Sequence, residues 1–174
     1  DIFNPRYSYG GGKILTELMG INYGRKFFKK LVIFRPHNVY GPDMGNEHVV
    51  PEFIKKISKL KKSRFLIKGT GNESRSSIYI DDFVNAFSLL LKKGKHLNIY
   101  NIGTNEQIKI KELAKTIGKI LSKKIKIKKG KIAKGSTFKR CPNISKIIKL
   151  GFSRKFDLKN LLKKTINWYQ KKGV

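Results

Sequence analysis

The chain has 174 residues and carries 40 lysines and arginines against 11 aspartates and glutamates, a formal charge of +29, with 39% hydrophobic residues. That is enough apolar material for one core of ordinary domain size, and no apolar run approaches the ~18 residues that a membrane-spanning helix needs. Asp1 to Arg6 lacks the basic-then-apolar order of a secretory leader, the single Cys141 excludes an internal disulfide, and His37, His48 and His96 are too scattered for zinc-ligand spacing, so a cytoplasmic protein with no metal is expected.

Asn4 and Pro5 lead almost directly into a first helix over Tyr9 to Phe28, with Ile14, Leu15, Leu18, Met19 and Ile21 as an apolar stripe. The chain also begins without Met, and a fragment or incomplete gene product is the expectation. Leu31 to Phe34 is a short continuous apolar run typical of a buried parallel strand, stopped by Arg35 and Pro36. The loop HNVYGPDMGNEH follows, and helical spacing returns from Val49 to Leu60. Arg64 to Lys68 and Ser77 to Ile80 read as strands flanking a glycine turn at Gly69 to Gly71. Asp81 and Asp82 stand where carboxylates favour a helix N-terminus, and that helix runs to about Leu91. Asn98 to Ile102 is a strand, Ile110 to Leu121 a helix, and Lys123 to Lys128 alternates lysine with isoleucine as a half-exposed strand does. Two helices, Asn143 to Leu150 and Leu158 to Tyr169, complete an α/β pattern with part of a parallel sheet.

Charge first suggests a polyanionic partner, because dense positive charge steers association with nucleic acid. Only 7 of the basic residues are arginine, the type suited to phosphate and guanine edges, and the 33 lysines are spread along the whole chain. The densest stretch, Lys119 to Lys134, interleaves lysine with Ile120, Ile125, Ile127 and Ile132, the pattern of a solvated helix and strand face.

Three constellations carry possible chemistry. Tyr9 and Lys13 are four apart on the first helix and emerge on one face. An ammonium beside a phenol stabilises the phenolate, which makes such a pair a usable general base near neutrality. Spacing alone is weak, since chance supplies roughly one such pair in a chain this rich in lysine, and an exposed helical pair is the plain alternative. The intervening Gly10, Gly11 and Gly12, which cost about 1 kcal/mol each inside a helix, make sense where something must approach the backbone closely. The loop from Arg35 to Pro42 lies at the carboxyl end of a strand, where open α/β sheets bind ligands, and offers the amide of Asn38; a structural connection would use the same residues. In Gly69-Thr70-Gly71-Asn72-Glu73-Ser74-Arg75 the third glycine of a dinucleotide fingerprint is absent, so a hairpin turn is the better reading, and Arg75 beyond it could clamp a diphosphate or simply lie exposed.

In order, YSYGGGKILTE, VIFRPHNVYGPDMG, GTGNESRSSIYIDDFVNAF, YNIGTNEQIKIKELA and RCPNISKIIKLGF resemble the carboxyl-terminal half to two-thirds of an extended short-chain dehydrogenase/reductase, more narrowly the NAD-dependent nucleotide-sugar epimerases and dehydratases. The resemblance implies an α/β fold comprising the C-terminal part of a Rossmann-like doubly wound sheet plus a small α/β substrate-binding subdomain, with residues 1–174 as one partial domain. It implies NAD as cofactor, with Tyr9 as catalytic base, Lys13 on the nicotinamide ribose, and Arg35 and Pro36 against the nicotinamide. It implies a nucleoside diphosphate sugar as substrate, held by Asn38, by His48, Val49 and Val50 over the nucleotide, and by Arg75 and Arg140 on the diphosphate. Asp82 matches an aspartate expected to cap a helix, and a homodimer is expected by the same resemblance.

The departures carry their own expectations. The family's glycine-rich fingerprint, ribose-binding acid and Ser/Thr partner of the tyrosine have no counterpart in these residues, so the chain by itself is expected to bind NAD poorly and not to turn over substrate. Asn143 stands where the family usually has Asp, and Ser76-Ser77 replace a more usual aromatic-containing pair. The expected reaction is transient oxidation at the sugar, with 4-epimerisation first among outcomes and 4,6-dehydration or UDP-glucuronate decarboxylation as alternatives. The competing class is a basic, noncatalytic nucleic-acid-binding protein, which a steep salt dependence of RNA or DNA affinity would reveal.

Overall fold

The computed structural model describes Phe3 and residues 5–132, 136–155 and 157–173; Asp1, Asn4 and Lys134, touched on above, lie outside the described residues. The order is α1 (Pro5–Phe27), β1 (Val32–Pro36), β2 (Val39–Tyr40), α2 (Val49–Ser58), β3 (Arg64–Ile67), β4 (Ser74–Arg75), β5 (Ile78–Tyr79), α3 (Ile80–Lys93), β6 (Asn98–Ile102), β7 (Ile108–Lys109), α4 (Ile110–Ile120), β8 (Lys126–Lys129), β9 (Lys139–Arg140), α5 (Ser145–Lys149) and α6 (Leu158–Lys171). Pairing is mostly parallel: β1 with β6 from Val32↔Asn98 to Pro36↔Ile102, β2 with β5, and β3 with β8. β4 lies between β7, antiparallel to it, and β9, parallel to it.

Two cores follow from helical faces whose apolar residues recur every three to four positions. In the larger, Phe53, Ile54 and Ile57 of α2, Leu113, Ala114 and Ile117 of α4, and Leu161, Leu162 and Ile166 of α6 close over Phe65 and Ile67 of β3. Asp157 starts α6 by accepting the amide proton of Asn160 at 3.0 Å, satisfying one of the donors that a helix start leaves free. In the smaller, Ala86 and Leu90 of α3 pack with Tyr100 and Ile102 of β6 and Ile147 of α5. β8 keeps Lys126, Lys128 and Lys129 in solvent and half-buries Ile127, as the alternation predicts. No helix among the described residues is long and apolar enough to cross a membrane.

Three expectations are corrected. β1 is not a buried strand: Phe34, Arg35 and Pro36 are exposed, because only β6 pairs with it and the described chain leaves that end of the strand open. The Gly69–Gly71 turn is not a hairpin, since β3 pairs with β8 while β4 pairs with β7 and β9. Asp82 is not the cap of α3: Tyr79 holds that place with no side-chain bond, and the buried Asp82 accepts the Lys155 amide proton instead, joining α3 to the segment before α6.

Glu73 organises the glycine turn. One of its oxygens accepts the Thr70 amide at 2.9 Å and the Thr70 hydroxyl at 3.1 Å, and the other accepts the Gly71 amide at 2.8 Å. Gly69 and Gly71 take φ of 93° and 82°, and a Cβ at Gly69 would lie 2.7 Å from a Glu73 oxygen. The turn therefore wraps a carboxylate that is 6% exposed. Burial alone would raise the Glu73 pKa, but the Thr70 and Gly71 donors together hold it below the ordinary 4.5. A depressed carboxylate contributes stability above its unfolded value and loses it as pH falls through the lower, folded one. Glu73→Gln is expected to destabilise the chain by about 1–3 kcal/mol at neutral pH, read from urea unfolding, and to flatten the loss of stability that the wild type shows on acidification below about pH 4.5.

Candidate functional site

Between α2, β3, β4, β9 and the loop before α2 lies a cleft of about 490 Å³, within the range of small-molecule sites. Asn38, His48, Val49, Val50, Arg75 and Arg140 all line it, so residues spread over more than half the sequence and assigned to one substrate meet in one place. Asn38 takes a positive φ of 41°, which asparagine tolerates better than most residues. Its side-chain amide donates to the Ser76 carbonyl at 2.7 Å, locking the turn between β1 and β2 to the start of β5. His48 stands at the N-cap of α2 without a side-chain cap bond and is exposed, Val49 is half-buried and Val50 is packed into the core.

Arg75 and Arg140 are direct partners in the β4–β9 register. In parallel strands neighbours at one register put their side chains on the same face, with backbones ~4.8 Å apart. The Arg75 guanidinium donates to the carbonyls of Ser74 at 2.7 Å, Thr137 at 2.8 Å and Phe138 at 3.2 Å, and Arg140 donates to the Thr137 hydroxyl at 2.5 Å. Among the described residues neither arginine forms an ion pair with a carboxylate. Burial, and next the charge of Arg140, push the Arg75 pKa down from its ordinary value. Two positive charges set on neighbouring strands favour an anion beside them, and guanidinium groups can bind one in bidentate fashion.

The other four candidates lie elsewhere. Tyr9 and Lys13 share one face of α1, the Lys13 ammonium lying over the Tyr9 ring at 5.5 Å from its centre, so their contact is with the ring face. Tyr9 is 73% exposed, and a Cβ added at Gly10, Gly11 or Gly12 would meet nothing within 4 Å, leaving that turn open to a ligand. Arg35 does fold-level work: it grips Glu17 with two bonds of 2.7 and 2.6 Å, fastening α1 to β1, and its hydrogen bonds hold the Glu17 carboxyl below its ordinary value. Pro36 ends β1 opposite Ile102. Gly24 of α1 packs against Leu31 and Leu97, while Ile14, Leu15, Leu18, Met19, Tyr23 and Phe27 are each more than half exposed.

Two departures resolve locally. Ser76 is buried, and its carbonyl anchors Asn38, whereas Ser77 faces the cleft. The Asn143 side-chain oxygen accepts the Ser145 amide at 2.9 Å to open α5, a task that requires an acceptor and no charge. Sequence reasoning missed Glu73 and, at the cleft wall, Glu52, Lys56 and Lys68; the alternation along β3 could have pointed to Leu66 and Lys68 as a pair facing away from the core. No group of three or more His, Cys, Asp or Glu among the described residues is placed to hold a metal.

Residues 1–103 match the NAD dependent epimerase/dehydratase family. The chain belongs to that family. A dTDP-D-glucose 4,6-dehydratase of Dictyostelium discoideum is 39% identical over 116 residues, 67% of this chain and 26% of that protein. One from Bos taurus is 34% identical over 173 residues, 95% of this chain and 48% of that protein. The UDP-glucose 4-epimerase of Thermotoga maritima, solved with UDP-glucose, superposes with a TM-score of 0.87 at 28% identity, covering 95% of this chain and 54% of that one. The family's Rossmann-type α/β arrangement is therefore the fold here, and the matches cover about half the length of the bovine relative and a quarter of the Dictyostelium one.

Proposed function

We propose that this member of the epimerase/dehydratase family supplies the nucleotide-sugar site and the Tyr-Lys helix of an enzyme that begins by oxidising the sugar, at carbon 4. The convergence on one cleft of the six residues that the resemblance assigns to one substrate, with an arginine pair across two strands that meets no carboxylate among the described residues, carries the reading. In it, Arg75 and Arg140 bind the diphosphate, and His48 to Val50 close one side of the nucleotide. Tyr9 takes the proton from the sugar hydroxyl, and Lys13 holds positive charge beside the forming phenolate. The open glycine turn and the Tyr9–Lys13 face fit the nicotinamide-ribose end of NAD, whereas the 174-residue sequence contains no G-x-G-x-x-G fingerprint for its pyrophosphate. NAD, when bound, accepts hydride from the sugar carbon.

For the outcome after oxidation, 4,6-dehydration is placed ahead of 4-epimerisation, because the curated relatives named above are 4,6-dehydratases. UDP-glucuronate decarboxylation stands behind both.

Calorimetry of the 174-residue chain with dTDP-glucose, UDP-glucose and NAD tests the reading. Saturable binding of a sugar nucleotide is expected, with NAD binding weak or undetectable. No heat from any sugar nucleotide at millimolar concentration would remove the proposal.

A further inference from the structure

Two basic stretches distant in sequence lie side by side. Residues 61–68 carry four basic residues and residues 123–131 carry six, all of them exposed, and neither stretch contains an acidic residue. β3 and β8 pair in parallel through these stretches, and the ladder continues past both strand ends: the Lys126 amide donates to the Ser63 carbonyl at 2.6 Å, and the Gly69 amide to the Lys131 carbonyl at 3.1 Å. Phe65 and Ile67 turn inward against α2, α4 and α6, so Arg64 and Leu66, with Lys68 just beyond, share the outward face with Lys126 and Lys128. Among the described residues the only ion pair that any of the ten makes is that of Lys68 with Glu52, at 4.0 Å. Arg64 and Lys126 are direct register partners. Backbones ~4.8 Å apart put their charges inside the ~8 Å screening length of physiological salt, and like charges at paired positions destabilise a sheet. A lysine on an edge strand guards against strand addition, but that role needs no second cation opposite the first.

We propose that the outward face of β3 and β8 is a further binding surface, for the phosphate backbone of a nucleic-acid strand, an inference that does not depend on the nucleotide-sugar reading of the cleft. Alternate residues of a strand stand ~6.6 Å apart, comparable to the distance between successive phosphates of an extended polynucleotide. Lys126 and Lys128 therefore meet neighbouring phosphates, and Arg64 and Lys68 reach the same row from the adjoining strand. Each contact releases counterions from the polyanion and relieves the repulsion between the paired cations. The outward positions carry no aromatic side chain on which bases could stack, so the surface holds the backbone without reading sequence. A membrane surface would ask for apolar side chains to enter the headgroup layer, and among the outward positions only Leu66 is apolar, where it lines the cleft. Arg64, Lys126 and Lys128 do not line the cleft.

Fluorescence anisotropy with a labelled oligouridylate tests the surface on the 174-residue chain. A Kd of about 1–100 µM at physiological salt is expected, the range of sequence-independent binding, with an oligodeoxythymidylate bound alike. Lys126→Ala combined with Lys128→Ala should weaken both by roughly tenfold and make the slope of log affinity against log salt shallower by about 1.5–2. Lys159→Ala combined with Lys163→Ala removes the same charge from exposed positions of α6, in the helical layer over the inward face of the strands, and should change affinity by less than about twofold because salt screens charges at that remove. Equal weakening by the two pairs would reduce the effect to net charge and overturn the site, as would no binding at physiological salt. Phosphatidylserine vesicles bound as tightly as the oligonucleotides, through the same two lysines, would overturn the nucleic-acid assignment.

Discussion

Phenylalanine at position 9 is expected to lower turnover by roughly 10²–10⁴-fold, the usual contribution of a positioned acid–base group, with the affinity for sugar nucleotide little changed. The substitution removes one oxygen and keeps the ring, so the ring-face contact with Lys13 persists and α1 loses no packing, Tyr9 being 73% exposed. Under the proposed function, sugar-nucleotide binding rests on the cleft, which Tyr9 does not line. The effect therefore falls on kcat rather than KM, the pattern of an interaction made only in the transition state. The measurement requires the chain joined to, or reconstituted with, a dinucleotide-binding half; unchanged kcat in the Phe variant would take Tyr9 out of the chemistry.

The second large effect is expected at Arg75. Removing one charge-assisted hydrogen-bonding partner of a diphosphate costs about 1.5–3 kcal/mol, so Arg75→Ala should weaken UDP binding by roughly 10–100-fold. Uridine, which has no phosphate, separates this from a collapse of the site: its weak affinity should be the same in both proteins. Arg75→Lys should recover only part of the loss, since an ammonium keeps the charge but not the fork. The three carbonyls that Arg75 now satisfies lie beside the cleft, and urea unfolding of the variant shows whether water replaces the guanidinium there without loss of fold. UDP affinity equal to wild type in Arg75→Ala would dissociate the arginine pair from the phosphates.

How far the sequence could be read depended on whether the information was periodic. α4 and α6 were legible because residues such as Leu113 and Ile117, or Leu162 and Ile166, repeat with the turn of a helix and burial demands that repeat. β2, β4, β7 and β9 are two residues each, too short for any period, and escaped notice. The glycine turn was misread for a related reason. Gly69 to Gly71 marks a reversal of the chain, but the partners of the flanking strands are β8, β7 and β9, chosen by packing far along the sequence. Arg75 and Arg140 were named by resemblance; that they stand at one register could not be read from a separation of 65 residues. The apolar stripe on the first helix was real, but periodicity reports that a face is apolar and not what covers it.

That last point bears on α1 itself. The helix that carries Tyr9 and Lys13 contains three consecutive glycines and leaves Leu15, Leu18, Met19 and Tyr23 to water, so packing gives it little of the support on which most helices depend. Whatever shields those side chains also fixes the angle at which the phenol and the ammonium meet a ligand, and by linkage a ligand on that face strengthens the shielding in return. If a second copy of the chain is what covers that face, ligand affinity at Tyr9 and Lys13 should rise with protein concentration, and binding measured at two chain concentrations checks it.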